Sequence, residues 1–211
     1  MSKRRRMRSG TGATAAPFRI GCGIDVHPLV PGRTLVLGGV VVPHDRGLSG
    51  HSDADVLAHA ICDALLGALG LPDMGERFPD TDVRHRGRSS LLFLSDVGRE
   101  LRSWRRAILN VDAAILAEAP RLAPHLPLMR QRLADALGCS VESIGLKAKR
   151  FEGVGSIGRG EGIMAQAVVL IGDAAAKGPA GGRSRRRPAP PSGGRKRASG
   201  SRTAVRGERR R

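Results

Sequence analysis

The chain contains no tyrosine and a single tryptophan. Ring platforms on which single-stranded nucleic acid stacks are therefore scarce. Cysteine is sparse too: Cys22, Cys62 and Cys139 are odd in number, far apart and outside any CxxC. That excludes a disulfide scaffold and a cysteine-based zinc finger, and it fits a reducing, cytoplasmic setting. Apolar runs are short, as in Val40-Val41-Val42, so no segment reads as a membrane span. The N-terminus has no apolar stretch of the secretory kind. It is Arg-rich and acid-poor like a transit peptide, but short.

What is abundant is positive charge, a formal +17 from 36 Lys and Arg against 19 Asp and Glu. Its location matters more than its size. Residues 1–16 hold Lys3, Arg4, Arg5, Arg6 and Arg8 and no acid, and residues 177–211 hold thirteen basic residues against Glu208 alone. The centre of the chain is left electrically neutral. Both ends lack the large apolar residues that would offset the entropy cost of ordering them. The expected organisation is a disordered basic extension over 1–16, a folded domain over 17–173 and a disordered Arg/Gly/Pro/Ser-rich tail over 174–211. The tails could bind polyanions without sequence preference, so a tail-driven nucleic-acid-associated protein is one alternative reading.

Hydrophobic patterning in the centre gives an element order. FRIGCGIDVHPL and TLVLGGVVVP read as strands, each ended by proline. Ser52-Asp53-Ala54-Asp55 supplies capping and early acids for a helix carrying Val56, Ala60, Ile61, Ala64 and Leu65, closed by Gly70-Leu71-Pro72. SLLFLSDVGRELRSW and HLPLMRQRLADALG read as further helices, the last ended by Gly138. ILNVDAAILAEAP, SIGLKAKRF and IMAQAVVLIG read as strands. The order ββααβαββ predicts an α/β (α+β) single domain, one mixed sheet packed against a layer of about three helices.

Four places could carry chemistry, and each has a plainer alternative. Asp25 and His27, two apart on a strand, point to one face. With His59 they form a possible zinc set with an open fourth position; otherwise Asp25 caps a turn and His59 is a core histidine. His51 to Asp55 open a helix, where free amides attract anions, or where they are merely capped. Asp73-Met74-Gly75 and Phe78-Pro79-Asp80-Thr81-Asp82 could bind sugar hydroxyls or a hard cation, or form an ordinary turn. The glycine-rich run 153–162, with Arg159 inside it and Lys147, Lys149, Arg150 and Glu152 before it, could cradle phosphate or simply close a hairpin.

Taken in order, RIGCGIDVHPL, LVLGGVVVP, GLSGHSDADVLAHAICDALLGALGLPDMGERFPDTD and KAKRFEGVGSIGRGEGI resemble the 2-C-methyl-D-erythritol 2,4-cyclodiphosphate synthase family across residues 18–171. The resemblance implies a homotrimer with active sites between subunits. It implies a reaction in which the substrate's 2-phosphate attacks its own β-phosphate and CMP leaves, in the non-mevalonate isoprenoid pathway. Carried over, Asp25, His27 and His59 are zinc ligands, and Glu152 is the ligand of a second ion, Mg²⁺ or Mn²⁺. His51 is a catalytic stabiliser beside the phosphate, with Ser52 next to it. Asp25 and His27 also face the substrate. Asp73, Gly75, Phe78, Asp80 and Asp82 line the methylerythritol wall, Ala117, Arg121, Leu122 and Ala123 the neighbouring subunit's cytidine pocket, and Arg159 the GRGEG turn.

The resemblance breaks at two places. Where the family has a KATTTE-like run, this chain has Lys147-Ala148-Lys149-Arg150-Phe151-Glu152. Arg150 replaces the threonine that touches the diphosphate and is assigned a catalytic role there, since a guanidinium binds phosphate bidentately. Ser156 replaces an aromatic residue. A catalytically impaired homologue is the second alternative these changes raise.

Overall fold

The computed structural model describes residues 17–174; both basic tails, with the disorder expected of them, lie outside the described residues. Seven strands form: β1 (Phe18–Pro31), β2 (Leu35–Leu37), β3 (Val40–Val42), β4 (Arg46–Leu48), β5 (Arg106–Leu116), β6 (Ile144–Lys149) and β7 (Gly162–Asp173). Three long helices, α1 (Val56–Leu69), α3 (Ser90–Ser103) and α4 (Leu126–Leu137), carry the helical layer, with single turns at α2 (Met74–Arg77) and α5 (Gly155–Gly158). The main sheet is mixed, in the order β4-β1-β7-β5-β6. Only β5 and β6 run parallel, and α4 provides the crossover that a parallel pair requires.

Two sequence expectations need correction. The run 34–43 is not one strand but a tight hairpin, β2 and β3, in a small sheet of its own. Gly38 and Gly39 both take positive φ (55° and 71°), the conformation of a two-residue hairpin turn. Nor does Pro28 end the first strand. β1 pairs with β7 from Phe18 to Pro28, then continues and pairs with β4 from Leu29 to Pro31. Proline lacks the N–H that a continuing ladder would use, and here it marks the change of partner.

The helices cover one face of the sheet, with α1 lying across β1 and β7. Gly21 and Gly23 make this close approach possible. A Cβ at Gly21 would sit 1.8 Å from the Ala64 carbonyl oxygen, and one at Gly23 would sit 2.1 Å from that of Ala60. Ala60, Ala64 and Ala68, one helical turn apart, present the matching small surface and are fully buried. Among the described residues the opposite face of the sheet has no such cover: Ile20, Ile24, Val26 and Val168 are all exposed there.

Candidate metal centre and active site

The face of β1 that seats α1 through Gly21 and Gly23 continues through Asp25 and His27, because inward positions recur every second residue. His59 lies one residue before Ala60, in the first turn of α1. The glycines thus lower His59 onto Asp25 and His27. The three polar atoms form a near-equilateral triangle. His27 Nε2 is 2.9 Å from Asp25 Oδ2, His59 Nδ1 is 3.0 Å from the same oxygen, and the two nitrogens are 3.2 Å apart. A tetrahedral ion with bonds of about 2.0–2.1 Å keeps its ligands about 3.3 Å apart, so spacing and donor set both fit a divalent metal with an open position. Among the described residues this is the one group of three or more such side chains close enough to hold a metal.

The electrostatics agree. Burial pushes the Asp25 carboxyl up, but hydrogen bonds from His27 and His59 outweigh it and hold the group well below the usual carboxylate range. Burial pushes His27 down, and the Asp25 hydrogen bond outweighs that and raises it. A concentrated negative charge facing two imidazoles is an environment that a cation completes.

The triad forms part of the wall of a cavity of about 460 Å³. Of the residues singled out from the sequence, His51, Ser52, Gly75, Phe78 and Asp80 also line it. Asp73 and Asp82 do not. Asp73 caps α2 by accepting from Glu76 N at 2.9 Å, and Asp82 accepts from Arg84 N at 3.0 Å while pairing with the Arg84 guanidinium. Both carboxylates thus serve their own turns within the chain.

A second cavity, of about 380 Å³, collects Ala117, Arg121, Leu122 and Ala123 with Lys149 and Arg150. It shares no lining residue with the first. Arg150 does not stand free in it: its Nε and Nη2 donate to Glu118, which also accepts from Phe151 N at 3.3 Å. The Arg150 hydrogen bond holds the Glu118 carboxyl below its ordinary value. Glu152, at φ 50°, and Arg159, paired with Glu161, line neither cavity.

The capping reading of His51 to Asp55 is half right. Asp55 caps α1 through Ala58 N at 3.1 Å, and its carboxylate also accepts from Gly38 N at 2.9 Å and Gly39 N at 2.7 Å. One buried side chain thereby joins the hairpin turn to the helix that carries His59.

The profile of the YgbB family matches residues 18–172, nearly the whole described domain. The chain belongs to the YgbB family. Similar proteins include the 2-C-methyl-D-erythritol 2,4-cyclodiphosphate synthase of Moorella thermoacetica, 56% identical over 74% of this chain and 96% of the relative. That of Alkaliphilus metalliredigens is 54% identical over 74% of this chain and 98% of the relative. A solved synthase in a CDP-bound form superposes with a TM-score of 0.67 at 38% identity, covering 72% of this chain and 99% of the other.

This YgbB-family cavity has wall residues that sequence reading missed. Asp63 lies one turn beyond His59 on α1, a spacing that could have flagged it. His85 and Phe93 come from further along the chain, and the His85 ring packs edge-on to Phe78 and Phe93 at 5.7 and 5.3 Å. Ser90, which reaches His59, gave no signal beyond helix-start composition.

Proposed function

We propose that this protein is a CMP-releasing cyclodiphosphate synthase of isoprenoid precursor synthesis, a phosphorus–oxygen lyase acting on 4-diphosphocytidyl-2-C-methyl-D-erythritol 2-phosphate. The observation that carries the reading is the convergence of Asp25, His27 and His59 on the wall of a cavity in a chain of this family. In the reaction an oxygen of the 2-phosphate bonds to the β-phosphorus of the same molecule. The bond from that phosphorus to the α–β bridging oxygen breaks, and CMP leaves with the electron pair. The nucleophile belongs to the substrate, so the protein has to position and neutralise rather than attack. A divalent ion on the triad, zinc by donor type, supplies Lewis acidity to the β-phosphate when bound. His51 and Ser52 hold the phosphate edge of the cavity. Gly75, Phe78 and Asp80 hold the methylerythritol edge, beside Asp73 and Asp82. Glu152, together with the substrate's phosphates, would hold a second ion, Mg²⁺ or Mn²⁺, and Arg159 steadies the glycine turn beside it.

The active protein is a homotrimer in this reading. Two features support it. The uncovered sheet face exposes Ile20, Ile24 and Val26 by more than half, an apolar patch that suits burial against further copies. The two cavities also divide the required parts, one carrying the metal triad and the other the Ala117–Ala123 segment with Arg150. A subunit boundary that brings them face to face makes one complete site. Among the described residues no helix is long and apolar enough to cross a membrane, and the three cysteines are free, which supports a cytoplasmic setting.

Phosphorus NMR of the protein with this substrate, Zn²⁺ and Mg²⁺ tests the reading. Cyclic diphosphate and CMP are expected, and a sedimentation mass of three chains. Unchanged substrate in a folded, metal-loaded sample would overturn it and favour an impaired homologue altered at residues 149–151.

A further inference from the structure

The triad accounts for one nitrogen of His59. Its other nitrogen, Nε2, faces away from Asp25 and His27, into a buried polar chain. It lies 2.8 Å from Ser90 Oγ and 3.2 Å from Ser52 Oγ. Ser90 Oγ in turn meets Asp53 Oδ1 at 2.5 Å, and Ser90 N donates to both Asp53 carboxylate oxygens at 3.1 and 3.0 Å. Ser90 is 1% exposed and Ser52 7%, so water offers no substitute partners.

Donor bookkeeping gives this chain a direction. An ionised carboxylate only accepts. The Ser90 hydroxyl therefore spends its one proton on Asp53, and its oxygen is left as an acceptor towards His59. The shorter contact then calls for the hydrogen on His59 Nε2, with the Ser52 hydroxyl free to donate to Ser90 Oγ at 3.3 Å. A bound cation in place of the Nδ1 proton shared with Asp25 would meet the Nδ1 lone pair. We propose that Ser90 and Asp53 are positioning residues of the metal centre, a hydrogen-bonded relay that fixes the ring tautomer and orientation of His59. This rests on the reading of Asp25, His27 and His59 as a metal site. Groups that orient a ligating histidine in this way tune metal affinity by 10–100-fold.

The relay also ties the site to the fold. Ser89, the residue preceding α3, makes no side-chain capping bond, and Asp53, from the loop before α1, caps that helix through Ser90 N instead. Asp53 N further donates to Arg88 O at 3.1 Å. One carboxylate thus anchors the start of α3 and ends the relay from α1, so it links both helices to the ligand.

Full-length protein stripped by a chelator and titrated with Zn²⁺ by calorimetry provides the test, with nitrogen-detected NMR of the His59 ring in the zinc-loaded form. Ser90→Ala should weaken Zn²⁺ binding 10–100-fold. Asp53→Asn can still cap α3 through its amide oxygen, but its NH₂ can donate to Ser90 and reverse the relay. It should bind Zn²⁺ at least tenfold more weakly at an unchanged circular dichroism spectrum. Ser89→Ala should match wild type. In wild type the NMR should place the proton on Nε2. Should Ser90→Ala fail to fold, Asp53→Asn decides alone. Affinities within twofold of wild type in the folded variants, or a His59 coordinated through Nε2, would overturn the relay. Wild-type protein that binds no Zn²⁺ would overturn the metal reading itself, and the relay with it.

Discussion

Replacing Gly23 by alanine adds one methyl group in the place where the fold has no room for it. The new Cβ would lie 2.1 Å from Ala60 O and 2.7 Å from Ala64 N, both backbone atoms that cannot rotate away. Ordinary contact begins at 3.4 Å, so α1 has to lift from β1 by about 1.3 Å at that point. Overpacking of this kind costs about 1–3 kcal/mol, which for a domain of this size lowers Tm by about 2–12 °C. The effect on the metal should be larger than the effect on stability. His59 precedes Ala60 directly and rides on the same helix, while Asp25 and His27 stay with the strand. A ligand set needs its geometry held within about 0.5 Å, so Zn²⁺ affinity should fall at least tenfold. Gly67→Ala, on the same helix, is the control. Its Cβ would meet nothing nearer than Cys22 O at 4.0 Å, and alanine is the better helix former by about 1 kcal/mol. That variant should melt about 2–4 °C higher and bind zinc as wild type does. Thermal melts and calorimetric titration of the two side by side make the comparison. Gly23→Ala with wild-type Tm and wild-type affinity would refute the claim that helix–strand contact sets the site.

Other expectations follow from single contacts. Asp55→Ala removes the α1 cap and strands the Gly38 and Gly39 N–H groups, so it should destabilise by about 3 kcal/mol or more in urea denaturation. Arg150→Ala should change Tm little, because the Arg150 side chain is itself largely exposed, while raising KM for the substrate in steady-state assays. Metal-free protein should show a stability window set by the Asp25–His27 pair. Asp25 is lowered in the fold, so its contribution is present above its unfolded value near 4 and fades as pH falls below that. His27 is raised, so its contribution is full below about 6.5 and is lost as pH rises through the raised value. Melts of chelator-treated protein should therefore be highest between about pH 4 and 6.5 and decline above, and His27→Gln should flatten the decline.

How much of this was legible beforehand depends on the range of the interaction. The period-two spacing of Asp25 and His27 and the apolar repeat around His59 are local, and they offer the triad as one of two readings; the family resemblance selects it, and the fold brings the three side chains together. The boundaries of α1 and α4 were legible for the same reason, since Gly70 and Gly138 end them with left-handed backbone. The hairpin at Gly38-Gly39 is present in the sequence but reads as an unbroken strand, because the six valines and leucines around it have the same β preference whether the chain turns or not. The role of Asp53 was not legible. A carboxylate just before a helix reads as that helix's own cap, and only folding shows it capping α3, 37 residues on. The pairing of Arg150 with Glu118 spans 32 residues and was likewise invisible.

Release of CMP from the diphosphocytidyl substrate, followed through metal removal and return, tests the central claim most directly. Chelator-stripped protein should be inactive. Activity should return in proportion to zinc up to one ion per chain, and His59→Ala should regain none at the same zinc level. Undiminished CMP release from protein shown to be metal-free, or full turnover by His59→Ala, would contradict the account.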